Sequence, residues 1–311
     1  MPSRLQKKLL GAILGALAVI LLAQNPMNAS DVRLLRDLTS QTDVDLLMMA
    51  ASGNASLSSK GEKPVMHTFF DPLEKKSKPD PMLGRWKEEW EKAGFETKVL
   101  TLENAKKHPY FETMKKAVEK VLGDDMYNKL CFYRYLAMAM EGGYMSDYDT
   151  FPTNFPMDEA LTLQNEGKFT SFQAHVPALI SASAEEWERV AILMSEQLAK
   201  SDLWLKSDMY ILKELGDEGG HDLIFLLPSY NVHTFLPYKS KRVVDCKATD
   251  HCRAVHISHY AVAMMKKNGF FPDEEMKGLG GDSERRAKVA EVFIKDWKEQ
   301  CGGNKYLKVS R

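Results

Sequence analysis

The sequence predicts an α/β fold, and three observations carry that expectation. Short apolar runs rich in β-branched and aromatic residues, at 64–70, 95–100 and 223–227, have the length and composition of buried strands. Between them lie stretches of helical periodicity closed by glycine: 83–93 before Gly94, 110–122 before Gly123, and 125–140 before Gly142 and Gly143. The two kinds of segment alternate along the chain, which is the pattern of helices layered on a sheet.

Each element has its own signature. Pro64 opens the first strand, and the helix after it carries Trp86 and Trp90 four residues apart, on one face. The helix over 125–140 is apolar on most sides, so it is expected to be buried. A strand is expected over 144–148, and further strands over 169–174 and 178–181. The helix over 184–199 starts with Ser183 as N-cap and Glu185 and Glu186 in its first turn, where an acidic charge meets the positive helix end. Residues 216–222, rich in glycine and acidic side chains, read as a flexible loop before the strand at 223–227. A terminal helix over 284–299 places Trp297 on its apolar face, and Trp187 and Trp204 also lie on helical faces suited to the core. His67 reads as a core histidine of the first strand.

Composition narrows the classes of function. At 44% hydrophobic and 27% charged, the 311 residues are neither a mostly disordered chain nor a polytopic membrane protein. Forty-two Lys and Arg against 43 Asp and Glu leave no basic excess of the kind that marks nucleic-acid binding. Four cysteines exclude a disulfide-dense scaffold.

The N-terminus supplies an address. Arg4, Lys7 and Lys8 precede an uncharged apolar run over 9–23, ended by Gln24, Asn25 and Pro26. The run is shorter than the roughly 20 residues of an ordinary span, and reads as a cleaved signal peptide or a short signal anchor over 1–23. The basic flank would stay cytosolic, placing the rest in the lumen as a single-pass type II protein of the Golgi or endoplasmic reticulum. Asn28-Ala29-Ser30 and Asn54-Ala55-Ser56 are N-glycosylation triplets consistent with that side of the membrane. Residues 24–63 read as stem and linker, and 64–311 as a single folded domain.

The segment with most chemistry runs from Arg134 to Asp149. Asp147 and Asp149 are two apart, so on an extended strand both carboxylates share a face. Two carboxylates held together repel unless a cation sits between them, and a hard divalent ion such as Mn²⁺ or Mg²⁺ is the natural partner. Gly142 and Gly143 permit close approach of backbone, and Arg134 offers a fork to a phosphate. In open sheets such groups sit beyond the carboxyl ends of strands.

Arg134, Gly142, Gly143, Asp147 and Asp149 form an R-x₇-GG-x₃-D-x-D pattern that resembles the DXD-motif glycosyltransferases of glycosyltransferase family 32 and its relatives. That group includes fungal initiating mannosyltransferases and a galactosyltransferase. Lys63-Pro64-Val65-Met66-His67 is similar to the family's first strand, and Trp86 followed by Gly94-Phe95-Glu96 to its passage into the second. The resemblance covers roughly residues 63–155. Cys131 stands where the family has an Asp three residues before the Arg, and Met145 stands where it has an aromatic. The resemblance implies a GT-A-like fold, a Rossmann-like mixed sheet flanked by helices. It also implies a nucleotide-sugar donor, a divalent cation held by the DXD motif, and retention of anomeric configuration. Arg134, Gly142, Gly143, Asp147 and Asp149 would then be donor-binding, with Asp147 and Asp149 on the metal.

A second cluster, from Cys246 to His259, admits three readings. His256, or less favourably His259, returns to the site as a further metal ligand. Alternatively Cys246, Cys252, His256 and His259 hold structural zinc, although their spacing matches no common pattern. In the third, the histidines are structural and a Cys246–Cys252 disulfide forms in an oxidising lumen, with Cys131 a buried free thiol.

The expected function is a luminal glycosyltransferase that moves a sugar from a nucleotide-sugar donor to a glycan, glycolipid or glycoprotein acceptor. No side chain is identified as nucleophile or general base. The alternative is a non-catalytic luminal protein of the same fold that binds glycans or partners, and the Cys131 departure favours it.

Overall fold

The computed structural model describes residues 63–72, 79–202, 205–220, 223–234, 236–270, 277–279 and 281–305. The chain divides between Glu62 and Lys63 into two units, and every described residue belongs to the second. The signal segment, the stem up to residue 62, both glycosylation triplets and Trp204 lie outside the described residues. Among the described residues no helix is long and apolar enough to cross a membrane.

The elements run in order as β1 (Val65–Phe69), α1 (Pro81–Lys92), β2 (Glu96–Leu100), α2 (Leu102–Ala105), α3 (Phe111–Leu122), α4 (Met126–Ala139), β3 (Gly143–Ser146) and β4 (Thr150–Pro152). Then come α5 (Met157–Ala160), β5 (Thr170–Gln173), β6 (Val176–Ala182), α6 (Ala184–Lys200), α7 (Asp208–Gly219), β7 (Phe225–Leu226), β8 (Val232–His233), β9 (Tyr238–Ser240) and β10 (Val243–Val244). The last are α8 (Cys246–Thr249), β11 (Ala254–His256), α9 (His259–Lys267) and α10 (Asp282–Cys301).

The protein is a mixed α/β fold built on a six-stranded sheet in the order β2-β1-β3-β6-β5-β7. β1 pairs parallel to both β2 and β3, whereas β6 runs antiparallel to β3 and to β5. Successive residues of the central strands feed opposite cores. Tyr144 and Leu179 join Trp86, Trp90, Phe151 and Phe293 on one face, while Met145 and Ile180 join Phe132, Tyr135 and Trp187 on the other. The apolar α4 is buried over most of its length because it lies under this sheet, capped by Asp125, whose side chain accepts from the Asn128 amide.

A smaller three-stranded sheet, β4-β11-β8, carries the chain beyond β3. β11 is antiparallel to β4, with His256 opposite Thr150. α10 packs on the same core through Val289, Phe293 and Trp297. It is covalently joined to α8 by a disulfide between Cys246 and Cys301, whose Cα atoms are 5.3 Å apart.

Several expectations are corrected. The disulfide is not Cys246–Cys252: Cys252 is buried at the entry to β11 with its thiol donating to the Ala254 carbonyl at 2.7 Å, so Cys246 pairs across to the end of α10. The same bond removes Cys246 from any zinc set. The segment from Gly216 to Gly219 is not loop but the last turn of α7. A Cβ at those glycines would lie 2.5 Å from Leu226 and 2.2 Å from Leu223, so glycine lets the helix end sit against the following strand. His221 and Asp222 lie outside the described residues.

Candidate functional site

Asp147 and Asp149 do not stand on an extended strand. β3 ends at Ser146, β4 begins at Thr150, and the residues between form a turn in which the Thr150 amide donates to the Asp147 carbonyl at 2.9 Å. The turn, rather than the alternation of a strand, brings the two carboxylates together, because here the chain leaves one sheet for the other. Helix α1 holds both flanks. Trp86 Nε1 donates to Ser146 Oγ at 2.8 Å and Trp90 Nε1 to the Thr150 carbonyl at 3.0 Å. The tryptophans' four-residue spacing thus spans the turn that presents the aspartates.

His256 enters from β11. The Ile257 amide donates to the Asp149 carbonyl at 2.8 Å, which fixes the end of β11 beside the turn. His256 Nε2 lies 3.3 Å from Asp149 Oδ1, and Nδ1 lies 3.1 Å from Gln173 Oε1. Since Oε1 is an acceptor, Nδ1 carries the hydrogen and Nε2 faces the carboxylates. One ligand atom from each of Asp147, Asp149 and His256 falls within 4.8 Å of the others. Two hard carboxylate oxygens and an imidazole nitrogen suit Mn²⁺ and are compatible with Mg²⁺.

Two arginines border the carboxylates. Arg134, from α4, donates to Asp147 Oδ1 at 2.6 Å through Nη1 and to Asp208 Oδ2 through Nη2, while its buried Nε has no partner among the described residues. Arg286, from α10, donates to Asp149 Oδ2 at 2.5 Å, to Tyr148 Oη at 3.0 Å and to Asp282 Oδ2 at 2.8 Å.

The charges pull the titrations apart. Burial, with the nearby Asp149, holds Asp147 above the usual carboxylate range although Arg134 opposes it. Burial also pushes Asp149 upward, but His256 and Arg286 together outweigh it and hold its carboxyl below the usual range. Burial disfavours charge on His256, and Asp149 and Asp147 overcome that to raise it. Burial and the neighbouring Asp208 push the Cys131 thiol up to about 12, so it stays neutral.

The other expected site residues are placed elsewhere. His259 is exposed and pairs with Asp282 at 3.1 Å, outside the cluster. Gly142 and Gly143 lie at the opposite end of β3 from Asp147. Gly142 has φ +70°, and a Cβ there would stand 3.0 Å from the Ala184 amide, so glycine serves the turn and the close approach to α6. Sequence reasoning missed Asp208, Gln173 and Arg286, which reach the site from 74, 83 and 137 residues away from their partners. No local spacing signals such contacts. A separate cleft of about 700 Å³, lined in part by Asn154, His233, Lys247 and Arg253, opens at the far end of β4 and β11.

No curated protein and no solved structure matches the chain. A family match covers residues 48–207, a stretch that contains Arg134, Asp147 and Asp149 and stops before Asp208, His256 and Arg286. On that match the chain belongs to the family described as a domain of unknown function, DUF8765.

Proposed function

We propose that the protein is a divalent-cation-dependent glycosyltransferase of GT-A-like fold, using a nucleotide-sugar donor. The observation that carries this reading is the convergence of Asp147, Asp149 and His256 within 4.8 Å beyond the carboxyl end of a central strand. That is where an α/β sheet accepts ligands, and the donor set is one for a hard ion. When bound, Mn²⁺ or Mg²⁺ would supply positive charge against a nucleoside diphosphate as it departs.

The chain's own groups supply the rest. Asp147, the more open of the two carboxylates with a quarter of its side chain exposed, faces the ligand. Asp149 is held ionised by Arg286 and His256. Arg134 offers a fixed positive charge beside Asp147, suited to a phosphate oxygen. Asp208 orients that guanidinium, so a carboxylate from α7 meets Arg134 where Cys131 stands one helical turn earlier on α4. The acceptor would be a glycan, glycolipid or glycoprotein. A Golgi or endoplasmic-reticulum lumen accords with the basic-apolar N-terminus and with the Cys246–Cys301 disulfide, which persists in oxidising compartments.

A non-catalytic binding role is the second reading, favoured by Asp149 having both oxygens already engaged by protein groups. Turnover of a panel of nucleotide sugars with and without Mn²⁺ separates the two. Metal-dependent release of the nucleoside diphosphate supports the enzyme, and its absence for every donor supports the binding protein.

A further inference from the structure

Arg286 is the least expected member of the cluster. It lies on the C-terminal helix, 137 residues from Asp149 in sequence, and its side chain is only 4% exposed. Each of its three side-chain nitrogens donates one hydrogen bond, Nη1 to Asp149, Nη2 to Tyr148 and Nε to Asp282. Its Cζ also lies 5.5 Å from the centroid of the Tyr148 ring, a cation–π contact with the same residue.

The balance of charge in the cluster gives this contact a consequence. Three buried or partly buried carboxylates, Asp147, Asp149 and Asp208, meet two guanidinium groups and one imidazole. Each carboxylate that an ion would use already carries a guanidinium, Arg134 on Asp147 Oδ1 and Arg286 on Asp149 Oδ2. A divalent cation entering between Asp147, Asp149 and His256 meets Arg286 as a like charge already seated on Asp149 Oδ2.

Resting on the metal-site reading above, we propose that Arg286 is the resident counter-cation of Asp149, a positioning residue that competes with a divalent ion for that carboxylate and so couples the C-terminal helix to loading of the site. Arg286 leaves Oδ1 of Asp149 turned toward His256 and engages Oδ2 itself. An ion that draws on the Asp149 charge weakens the bond to Arg286. The guanidinium keeps Asp282, which is half-exposed on the first turn of the same helix, as its second partner.

The test is Mn²⁺ binding by the full chain, read from the free-ion electron paramagnetic resonance signal, with a thermal melt on each variant. Arg286→Gln keeps a hydrogen-bond donor near Asp149 and removes the charge. It should bind Mn²⁺ about 10-fold more tightly than wild type, since the like charge is gone. Arg286→Lys keeps the charge and should bind Mn²⁺ close to the wild-type affinity. Asp282→Asn lies on the surface and does not threaten folding. It leaves Arg286 more fully committed to Asp149 and should weaken Mn²⁺ binding about 2- to 3-fold.

Equal or weaker binding by Arg286→Gln, with wild type binding Mn²⁺, overturns the competition and leaves the metal reading standing. Should Arg286→Gln fail to fold, an Asp282→Asn affinity equal to or above wild type overturns it instead. Binding by Arg286→Gln where wild type shows none supports the competition. Absence of binding in every variant, with and without uridine or guanosine diphosphate, brings down both this inference and the metal site.

Discussion

Arg134 and Asp208 form a buried ion pair between α4 and α7, each less than 10% exposed in its side chain, and it fixes the guanidinium that faces Asp147. Cys131, one turn before Arg134, lies close enough to feel both charges. The buried carboxylate partner of Arg134 thus comes from α7 and not from its own helix.

Replacing Asp208 by Asn is therefore expected to cost stability as well as orientation. Breaking a buried pair strands a charge, although Arg134 keeps Asp147, so the loss should be about 2–4 kcal/mol by urea denaturation. Adding Cys131→Asp to Asp208→Asn should recover part of that loss, because the new carboxylate stands on the same face of α4 as Arg134. No recovery, or a further loss, would mean that position 131 does not reach the guanidinium.

His256 gives a pH signature with a definite sign. Its folded value lies above its ordinary 6.5, so its contribution to stability is present below that value and is lost as pH rises through the folded one. His67, His108 and His175 are shifted the other way, chiefly by burial, and act in the opposite sense. The readable quantity is the difference in melting temperature between wild type and His256→Gln. It should shrink as pH rises from about 5.5 to about 9. Mn²⁺ binding should strengthen over the same range in wild type, since a ligating imidazole must release its proton, and should flatten in the variant. A difference that is constant with pH would show that His256 is not charged in the folded protein.

The disulfide is expected to stabilise the C-terminal part of the fold. Cys246 and Cys301 are 55 residues apart, and closing a loop of that length constrains the unfolded chain by about 4 kcal/mol in the chain-entropy account. Cys301→Ser should lower stability by about 2–4 kcal/mol, and reduction of the wild type should match it. A variant that unfolds at the wild-type urea midpoint would show that the packing of α10 alone holds the helix.

Trp86 and Trp90 were visible in the sequence as an apolar helical pair, and their packing is as that pattern implies. Their indole donors on Ser146 and Thr150 were not, because hydrogen bonds across 60 residues leave no local trace. The longer strands and helices from β1 to α6 follow from periodicity and glycine stops, with boundaries shifted by one or two residues, whereas the short α2, β4 and α5 between them do not. The short strands β8 to β11 and the helices α7, α8 and α9 escape it: elements of two to four residues have no period, a helix ending in Gly216 and Gly219 reads as loop, and the His and Cys residues at 246–259 read as a cluster rather than as helix starts. The two aspartates could be singled out by spacing, but the turn that carries them, and the partners Asp208, Gln173 and Arg286, are products of tertiary packing. Trp86→Phe tests the bracket directly: it keeps most of the volume, loses the bond to Ser146, and should cost about 1–2 kcal/mol. A cost near zero would mean that the ring's packing alone positions the turn.

On the proposed function, Asp147 and Asp149 hold a divalent ion against a nucleotide sugar. Asp149→Asn is not a clean probe, because it also removes the partner of buried Arg286 and so is expected to destabilise the fold. Asp147→Asn is cleaner, since Arg134 keeps Asp208 and the side chain is already a quarter exposed. The decisive measurement is Mn²⁺-dependent release of nucleoside diphosphate from a panel of nucleotide sugars by wild type and Asp147→Asn, with a melt of each. Wild type should turn over at least one donor only with the ion, and Asp147→Asn should lose about 10²–10³ of that rate while still folding. Full turnover by a folded Asp147→Asn, or metal-independent turnover by wild type, would mean that these aspartates do not hold a catalytic ion.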